Sequence, residues 1–218
     1  MANKREREKR NLNYLLNTYK KEKNGLLAFY IWSAAILAVA VLCYFFNWVY
    51  VYNSASGIEV KVSGFSFIAA TLSGNYSSTD KIYGDMAVPF YYYAKQSCLN
   101  VGGVTLAAGI LNVVSIAVLI AVIITKLHSL SYVSVISSLA SFVLLIVAFV
   151  FALGMKNDDI LSVYCGGNPK CSIESLAIIP ALVTAAALVV QCFAALKLFK
   201  AQMQYLNKKN DLKNTRTK

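Results

Sequence analysis

The sequence contains little of what most enzymes need. It has one histidine, His128, and ten acidic residues among its 218 residues. A zinc-binding HExxH motif needs two histidines, and the sequence contains neither a phosphate-binding Gly-rich loop nor a Ser–His–Asp set. We therefore expect no enzymatic activity, and we predict no catalytic residue, no cofactor and no metal ligand.

Charged residues are scarce and are excluded from four long stretches. Asp, Glu, Lys and Arg make up 14% of the chain, whereas soluble domains average about 25%. A membrane-spanning helix needs about 20 predominantly apolar residues. Four runs meet that requirement, at about 26–51, 101–125, 130–155 and 173–196. The pattern predicts an all-α membrane protein built as a bundle of four transmembrane helices.

The basic residues are distributed unevenly between the two sides of these spans. Sixteen of the 21 Lys and Arg residues lie before span one, between spans two and three, or after span four. Because short segments rich in Lys and Arg stay in the cytoplasm, we predict that both termini are cytoplasmic, in a multi-pass protein of the plasma membrane. The loops at about 52–100 and 156–172 are then extracellular.

The basic flanks predict contact with anionic lipid and give no reason to expect nucleic-acid binding. The net charge of +11 is concentrated on the predicted cytoplasmic side, where clusters of Lys and Arg attract anionic headgroups of the bilayer. The predicted headgroup contacts are Lys20, Lys21, Lys23, Lys197 and Lys200. A docking site for an acidic protein is the alternative.

Three segments are predicted along the chain. They are a basic cytoplasmic arm (1–24), the four-span membrane domain (25–199) and a basic cytoplasmic tail (200–218). Within the arm, four apolar residues share one helical face: Leu12, Leu15, Leu16 and Tyr19. This short amphipathic helix either lies in the membrane interface or extends span one into the cytosol.

Two uncharged amides, Asn112 and Gln191, lie inside the predicted spans. Hydrocarbon offers no hydrogen-bond partner, so each amide is predicted to bond to a neighbouring helix. Small residues at steps of four, such as Ala177 and Ala181, let helix backbones approach closely. Both features indicate a tightly packed bundle.

The first outer loop has the alternation of a strand with one polar face. Ile58, Val60 and Val62 alternate with Glu59 and Lys61, which predicts a small β-containing extracellular cap formed by this loop. Its aromatic residues are candidate partner contacts, or alternatively a belt at the level of the lipid headgroups: Phe65, Phe67, Phe90, Tyr91, Tyr92 and Tyr93.

Three of the five cysteines, Cys98, Cys165 and Cys171, lie in the predicted outer loops, where disulfides persist. The turn residues Gly-Gly-Asn-Pro after Cys165 favour a Cys165–Cys171 disulfide that closes the second loop on itself. A bridge from Cys98 to one of them would instead tie the two loops together. Asn75 begins an Asn-X-Ser sequence, which is a glycosylation acceptor in a host that glycosylates such loops.

The order of spans and loops resembles the layout of claudin-like tetraspan proteins. Trp48 at the outer end of span one, followed by the alternating stretch from Ile58, carries the resemblance. The resemblance is one of layout, because the Gly-Leu-Trp motif and the loop-one cysteine pair of that family are absent. It implies that the first loop forms strands that carry adhesion or line a pore.

Two functions follow from these features. The first is a non-enzymatic membrane protein that acts as an adhesion protein, scaffold or adaptor through contacts of its outer loops and helix faces. Its partner would be another membrane protein or a second copy. The second is an accessory or pore-forming subunit of a channel or transporter complex. A membrane thiol oxidoreductase is disfavoured, because it needs a CxxC pair in the first loop, where only Cys98 is present.

Overall fold

The computed structural model describes residues 2–53, 58–73, 95–155 and 171–214 of the chain. Two helices come first in these residues, followed by two strands, three helices, a third strand and a last helix. The helices are α1 (Ala2–Gly25), α2 (Leu27–Leu42), α3 (Gly64–Ser73), α4 (Lys95–Thr125), α5 (Ser131–Gly154) and α6 (Ile178–Asn214), with 3-10 turns at Cys43–Phe45 and His128–Leu130. The strands are β1 (Asn47–Asn53), β2 (Ile58–Ser63) and β3 (Cys171–Ser175).

Four helical stretches are long and apolar enough to cross a membrane, as the sequence predicts. They are Asn13–Phe45, Cys98–Thr125, His128–Gly154 and Ile178–Asn207. The first combines the end of α1 with α2, and the others belong to α4, α5 and α6. Large apolar side chains cover the outer faces of these helices, among them Ile136, Leu182 and Phe193.

Each long helix buries a narrow seam that contains small and polar side chains. In α4 the buried residues recur at alternating steps of three and four: Cys98, Val101, Thr105, Ala108, Asn112, Ser115, Leu119 and Val122. The same spacing occurs in α5 from Ser134 to Ala152. A repeat of this kind keeps one face of a helix against its neighbours, and small side chains allow the backbones to approach closely.

A three-stranded antiparallel sheet closes one end of the bundle, which we call the sheet end. The strand order is β2-β1-β3, so β1 is central. It pairs with β2 as far as Asn53↔Ile58 and with β3 as far as Asn53↔Cys171. The cap therefore takes one of its strands from the second loop, whereas the sequence predicts a cap from the first loop alone.

Two predicted span boundaries are wrong. The prediction extends span one to residue 51, but α2 and its following turn end at Phe45, and residues 47–53 form β1. The prediction begins span four at residue 173, which lies inside β3, whereas α6 begins at Ile178. Apolar composition alone does not distinguish a buried strand from a helix, and both β1 and β3 directly adjoin an apolar helix.

The opposite end, which we call the basic end, contains α1, the α4–α5 turn and the last part of α6. Only Leu26 separates α1 from α2, and the Tyr19 ring stacks on Tyr205 of α6 with centroids 5.2 Å apart. Of the two arrangements predicted for the arm, these contacts support a continuation of span one. At the turn, Lys126 adopts a positive φ of 59° and donates its N–H to the Val122 carbonyl at 2.9 Å, which ends α4 sharply.

Candidate functional site

The predicted site residues divide between the cap, the bundle interior and the basic end. Several lie outside the described residues: Asn75, Phe90, Tyr91, Tyr92, Tyr93 and Cys165. Their glycosylation, partner-contact and disulfide assignments therefore stay predictions. Within the described residues, no group of three or more His, Cys, Asp or Glu side chains is placed to hold a metal ion.

The environment of Cys98 bears on which of the two predicted disulfide arrangements can form. Cys171 is the first residue of β3, and its backbone pairs with Asn53. Cys98, by contrast, carries a free thiol that is buried in the apolar core of the sheet end, together with Ala152 and Met155. The alternative bridge from Cys98 to the second loop is therefore not formed, because its side chain is enclosed by the bundle.

Trp48 joins the cap to the helices. Its side chain is 1% exposed, its indole N–H donates to the Cys43 carbonyl at 2.9 Å, and its ring meets Tyr44 edge-on with centroids 5.3 Å apart. Its own carbonyl accepts the Leu176 N–H at 2.8 Å, immediately before α6. One residue of β1 thus contacts the end of α2 and the start of α6.

The neighbouring helix α3 is held in place by a serine cap and by two glycines. The Ser63 hydroxyl accepts the Ser66 N–H at 3.1 Å, which is N-cap geometry. A Cβ at Gly64 would meet the Trp48 ring, and a Cβ at Gly102 would overlap the Phe67 carbonyl oxygen and the Thr71 hydroxyl. Backbone contact at these two glycines fixes α3 against both β1 and α4.

An exposed apolar patch adjoins this fixed α3. It consists of Phe45, Phe46, Phe65 and Leu72, and we call it the aromatic patch. The Phe45 and Phe65 rings stack with centroids 5.1 Å apart, which links the end of α2 to the start of α3. Phe65 is 49% exposed, but Phe67 is fully buried. The prediction of Phe67 as a partner contact is therefore wrong, because residues two positions apart on a helix lie on nearly opposite faces.

The predicted interior amides differ in their surroundings. The Asn112 amide nitrogen lies 3.5 Å from the Tyr44 hydroxyl, in the turn after α2, and 3.4 Å from the Thr184 hydroxyl of α6. Asn112 therefore bonds to a neighbouring helix, as the sequence predicts. Gln191 is 2% exposed, yet neither its amide oxygen nor its nitrogen has a hydrogen-bond partner within the described residues. Within the part of the chain that the structure describes, the predicted interhelical bond of Gln191 is therefore not formed.

A serine cluster joins α4 to α5. The Ser115 hydroxyl lies 2.6 Å from that of Ser134 and 2.8 Å from that of Ser138. One turn closer to the sheet end, the Ser141 hydroxyl donates to the Ala108 carbonyl at 2.9 Å. Such interhelical bonds satisfy buried hydroxyls and stabilise helix pairs by about 1 kcal/mol or less each.

Two of the five predicted lysines, Lys197 and Lys200, line a cavity of about 400 Å³ at the basic end between α1, α2 and α6, whereas Lys20, Lys21 and Lys23 do not line it. Its lining comprises Glu22, Gly25, Leu26, Phe29, Lys197, Lys200, Ala201 and Gln204. The Lys197 ammonium lies over the Phe29 ring at 4.6 Å, and that of Lys23 over the Tyr19 ring at the same distance. The sequence predicts these two lysines but not the lining residues from α1 and α2, because no local pattern brings these segments together.

The sequence matches no protein-family model and no curated protein. Function is therefore inferred from the contacts, burial and charges of this chain.

Proposed function

We propose that the chain is a non-enzymatic integral membrane protein whose cap, together with the aromatic patch, binds another membrane protein. In this proposal the four long helices cross the bilayer, the sheet end is extracellular, and both termini are cytoplasmic. The role is that of an adhesion protein, scaffold or adaptor.

Membrane insertion is supported by the distribution of apolar and polar side chains. Large aliphatic residues such as Ile110, Ile136 and Leu182 are exposed on the outside of the helices, while Thr105, Ser138 and Thr184 are buried inside. Water would favour the opposite distribution. Hydrocarbon around the bundle removes that penalty and requires polar groups to find partners inside.

The orientation is supported by the position of the basic residues. Lys20, Lys21, Lys197 and Lys200 are all exposed at the basic end, together with Lys126 in the α4–α5 turn. The positive-inside rule assigns such an end to the cytoplasm. The cap then faces the outside of the plasma membrane.

Partner binding is supported above all by the fixed geometry of the aromatic patch. Exposed apolar patches mark protein or membrane interaction sites. Here the Phe45–Phe65 stack, the Gly64–Trp48 contact and the α3–α4 contact hold the patch in one shape. Lipid contact needs no defined shape, whereas a preorganised surface lowers the entropic penalty of binding a protein.

Site-specific photocrosslinking in native membranes tests this function. We would place a benzophenone amino acid at Phe65 and, as a matched control, at Phe193, an exposed phenylalanine on the outer face of α6. We expect a discrete protein adduct from position 65, whose mass distinguishes a second copy from another protein. Lipid adducts alone from both positions would contradict the proposal.

A second candidate is an accessory or pore-forming subunit of a channel or transporter complex. It is supported by three buried side chains with polar atoms that have no partner within the described residues, Ser33, Asn112 and Gln191. Polar groups inside a membrane bundle often line solute paths. Solute flux into liposomes that contain the purified chain, abolished by Gln191→Leu, would favour this candidate over the first.

A further inference from the structure

The cavity at the basic end is formed by two segments that are far apart in the sequence, residues 22–29 and residues 197–204. Glu22 and Gly25 come from the end of α1, Leu26 from the junction between α1 and α2, and Phe29 from the start of α2, and the remaining lining residues come from α6. A volume of about 400 Å³ lies within the range of roughly 300–1,000 Å³ that is typical of small-molecule sites. The cavity therefore has room for a polar headgroup.

The cationic side of the cavity comes from one face of α6. Lys197 and Lys200 are three residues apart, which places both ammonium groups on the same side of the helix. The Lys197 ammonium is drawn toward α2 by the Phe29 ring, 4.6 Å from its centroid. This cation–π contact orients the charge across the cavity.

The remaining lining combines an apolar floor with two polar groups. Leu26 and Ala201 are buried and form apolar wall, whereas Gln204 offers amide hydrogens to an acceptor. Among the described residues, Glu22 is the one acidic residue in the lining. Two ammonium groups and one carboxylate leave one net positive charge, which matches the single negative charge of a phosphate diester.

We propose that this cavity binds the phosphate headgroup of an anionic phospholipid, with Lys197 and Lys200 as the phosphate contacts. The inference rests on the membrane placement in the proposed function, and it is independent of the cap and its partner. The site lies where the apolar part of α6 gives way to its basic part, which is the level at which headgroups meet a spanning helix. Free phosphate shares the same chemistry, so the test must separate the two sources.

Native mass spectrometry of the full chain, released from nanodiscs, tests the proposal. In nanodiscs that mix phosphatidylglycerol with phosphatidylcholine, we expect one phosphatidylglycerol to be retained per chain. The double substitution Lys197→Gln and Lys200→Gln should lower its affinity by about tenfold or more, because charge-assisted hydrogen bonds are lost. The control is the double substitution Lys126→Gln and Lys209→Gln, which removes the same charge from exposed positions outside the cavity. It should leave the retention of phosphatidylglycerol unchanged.

Two further variants change the cavity in opposite ways. Glu22→Gln removes the carboxylate that repels an anion and should tighten binding. Gly25→Leu adds bulk at a lining position without changing any charge and should lower retention of the lipid. A Cβ at Gly25 meets no atom within 4 Å, so the added side chain can be accommodated without disturbing the fold. If the cavity and control double variants lose phosphatidylglycerol retention equally, the proposed site is wrong. If inorganic phosphate or glycerol phosphate displaces the lipid, the assignment of the site to lipid is wrong.

Carbonate extraction of the same variants distinguishes the two proposals. If the chain stays in the membrane pellet while phosphatidylglycerol binds no better than phosphatidylcholine, the headgroup site fails and the membrane placement stands. If the chain is released into the supernatant, the proposed function itself fails.

Discussion

At the scale of single residues, the two tryptophans of the chain differ in environment. Trp48 is buried between the cap and the helices, whereas Trp32 is 67% exposed on the outer face of α2. The Trp48 indole N–H also donates a hydrogen bond to the Cys43 carbonyl, and the indole ring packs directly against Gly64. The pair allows one residue type to be compared inside and outside the core.

We expect Trp48→Ala to destabilise the protein far more than Trp32→Ala. Replacing a buried aromatic by alanine costs about 3–5 kcal/mol through lost burial and the cavity left behind, whereas an exposed substitution changes stability by about 0.5 kcal/mol. Size-exclusion chromatography after heating in detergent should give a much lower midpoint for Trp48→Ala. Similar midpoints for the two variants would show that Trp48 does not anchor the cap.

At the scale of elements, the contact between α3 and α4 depends on the absence of one side chain. A Cβ on Gly102 would overlap the backbone of α3, whereas a Cβ on the adjacent Gly103 meets no atom within 4 Å. Only one of two neighbouring glycines is therefore required for packing.

Gly102→Ala should lower the free energy of unfolding by about 1–3 kcal/mol, which is the usual penalty for overpacking a core, and it should displace α3. Gly103→Ala should be neutral or slightly stabilising, because alanine favours a helix over glycine by about 1 kcal/mol. Thermal midpoints and protease sensitivity of the two variants measure this difference. A larger effect at Gly103 would contradict the α3–α4 packing described above.

The elements also show what the sequence could and could not predict. The four apolar stretches are long and uncharged, so the number of candidate spans could be predicted from hydrophobicity. The end of α2 could not be predicted in this way. The residues after it, such as Trp48, Val49 and Tyr50, are as apolar as those of the helix, and they form a strand only because they pair with β2 and β3. The register of β3 depends on a contact between distant segments, for which the sequence carries no local signal.

Of the candidate site, too, only a part could be predicted from the sequence. Asn112 was identified as an interhelical contact because an amide inside an apolar run needs a partner. The burial of Phe67 and the exposure of Phe65 depend on which face of α3 packs on α4, and the sequence does not specify that face. The cavity at the basic end was missed because it needs α1 and α6 side by side.

At the scale of the whole molecule, the two ends of the bundle lie on opposite sides of the membrane in the proposed function. Asn47 is exposed at the sheet end, and Ser129 is exposed in the turn at the basic end. In intact cells, an impermeant maleimide should label the Asn47→Cys variant above the parent chain. It should label the Ser129→Cys variant only after permeabilisation, and the reverse result would invert the orientation.

The pairing of β1 with β3 has a consequence for the order of biosynthesis. The ribosome makes the chain from its N-terminus, so residues 47–53 emerge long before residues 171–175, which complete the sheet. Until β3 has been made, the central strand β1 can pair only with β2, residues 58–63. The cap therefore stays incomplete until β3 has been made, and a chain truncated before β3 would expose the edge of β1 that β3 covers.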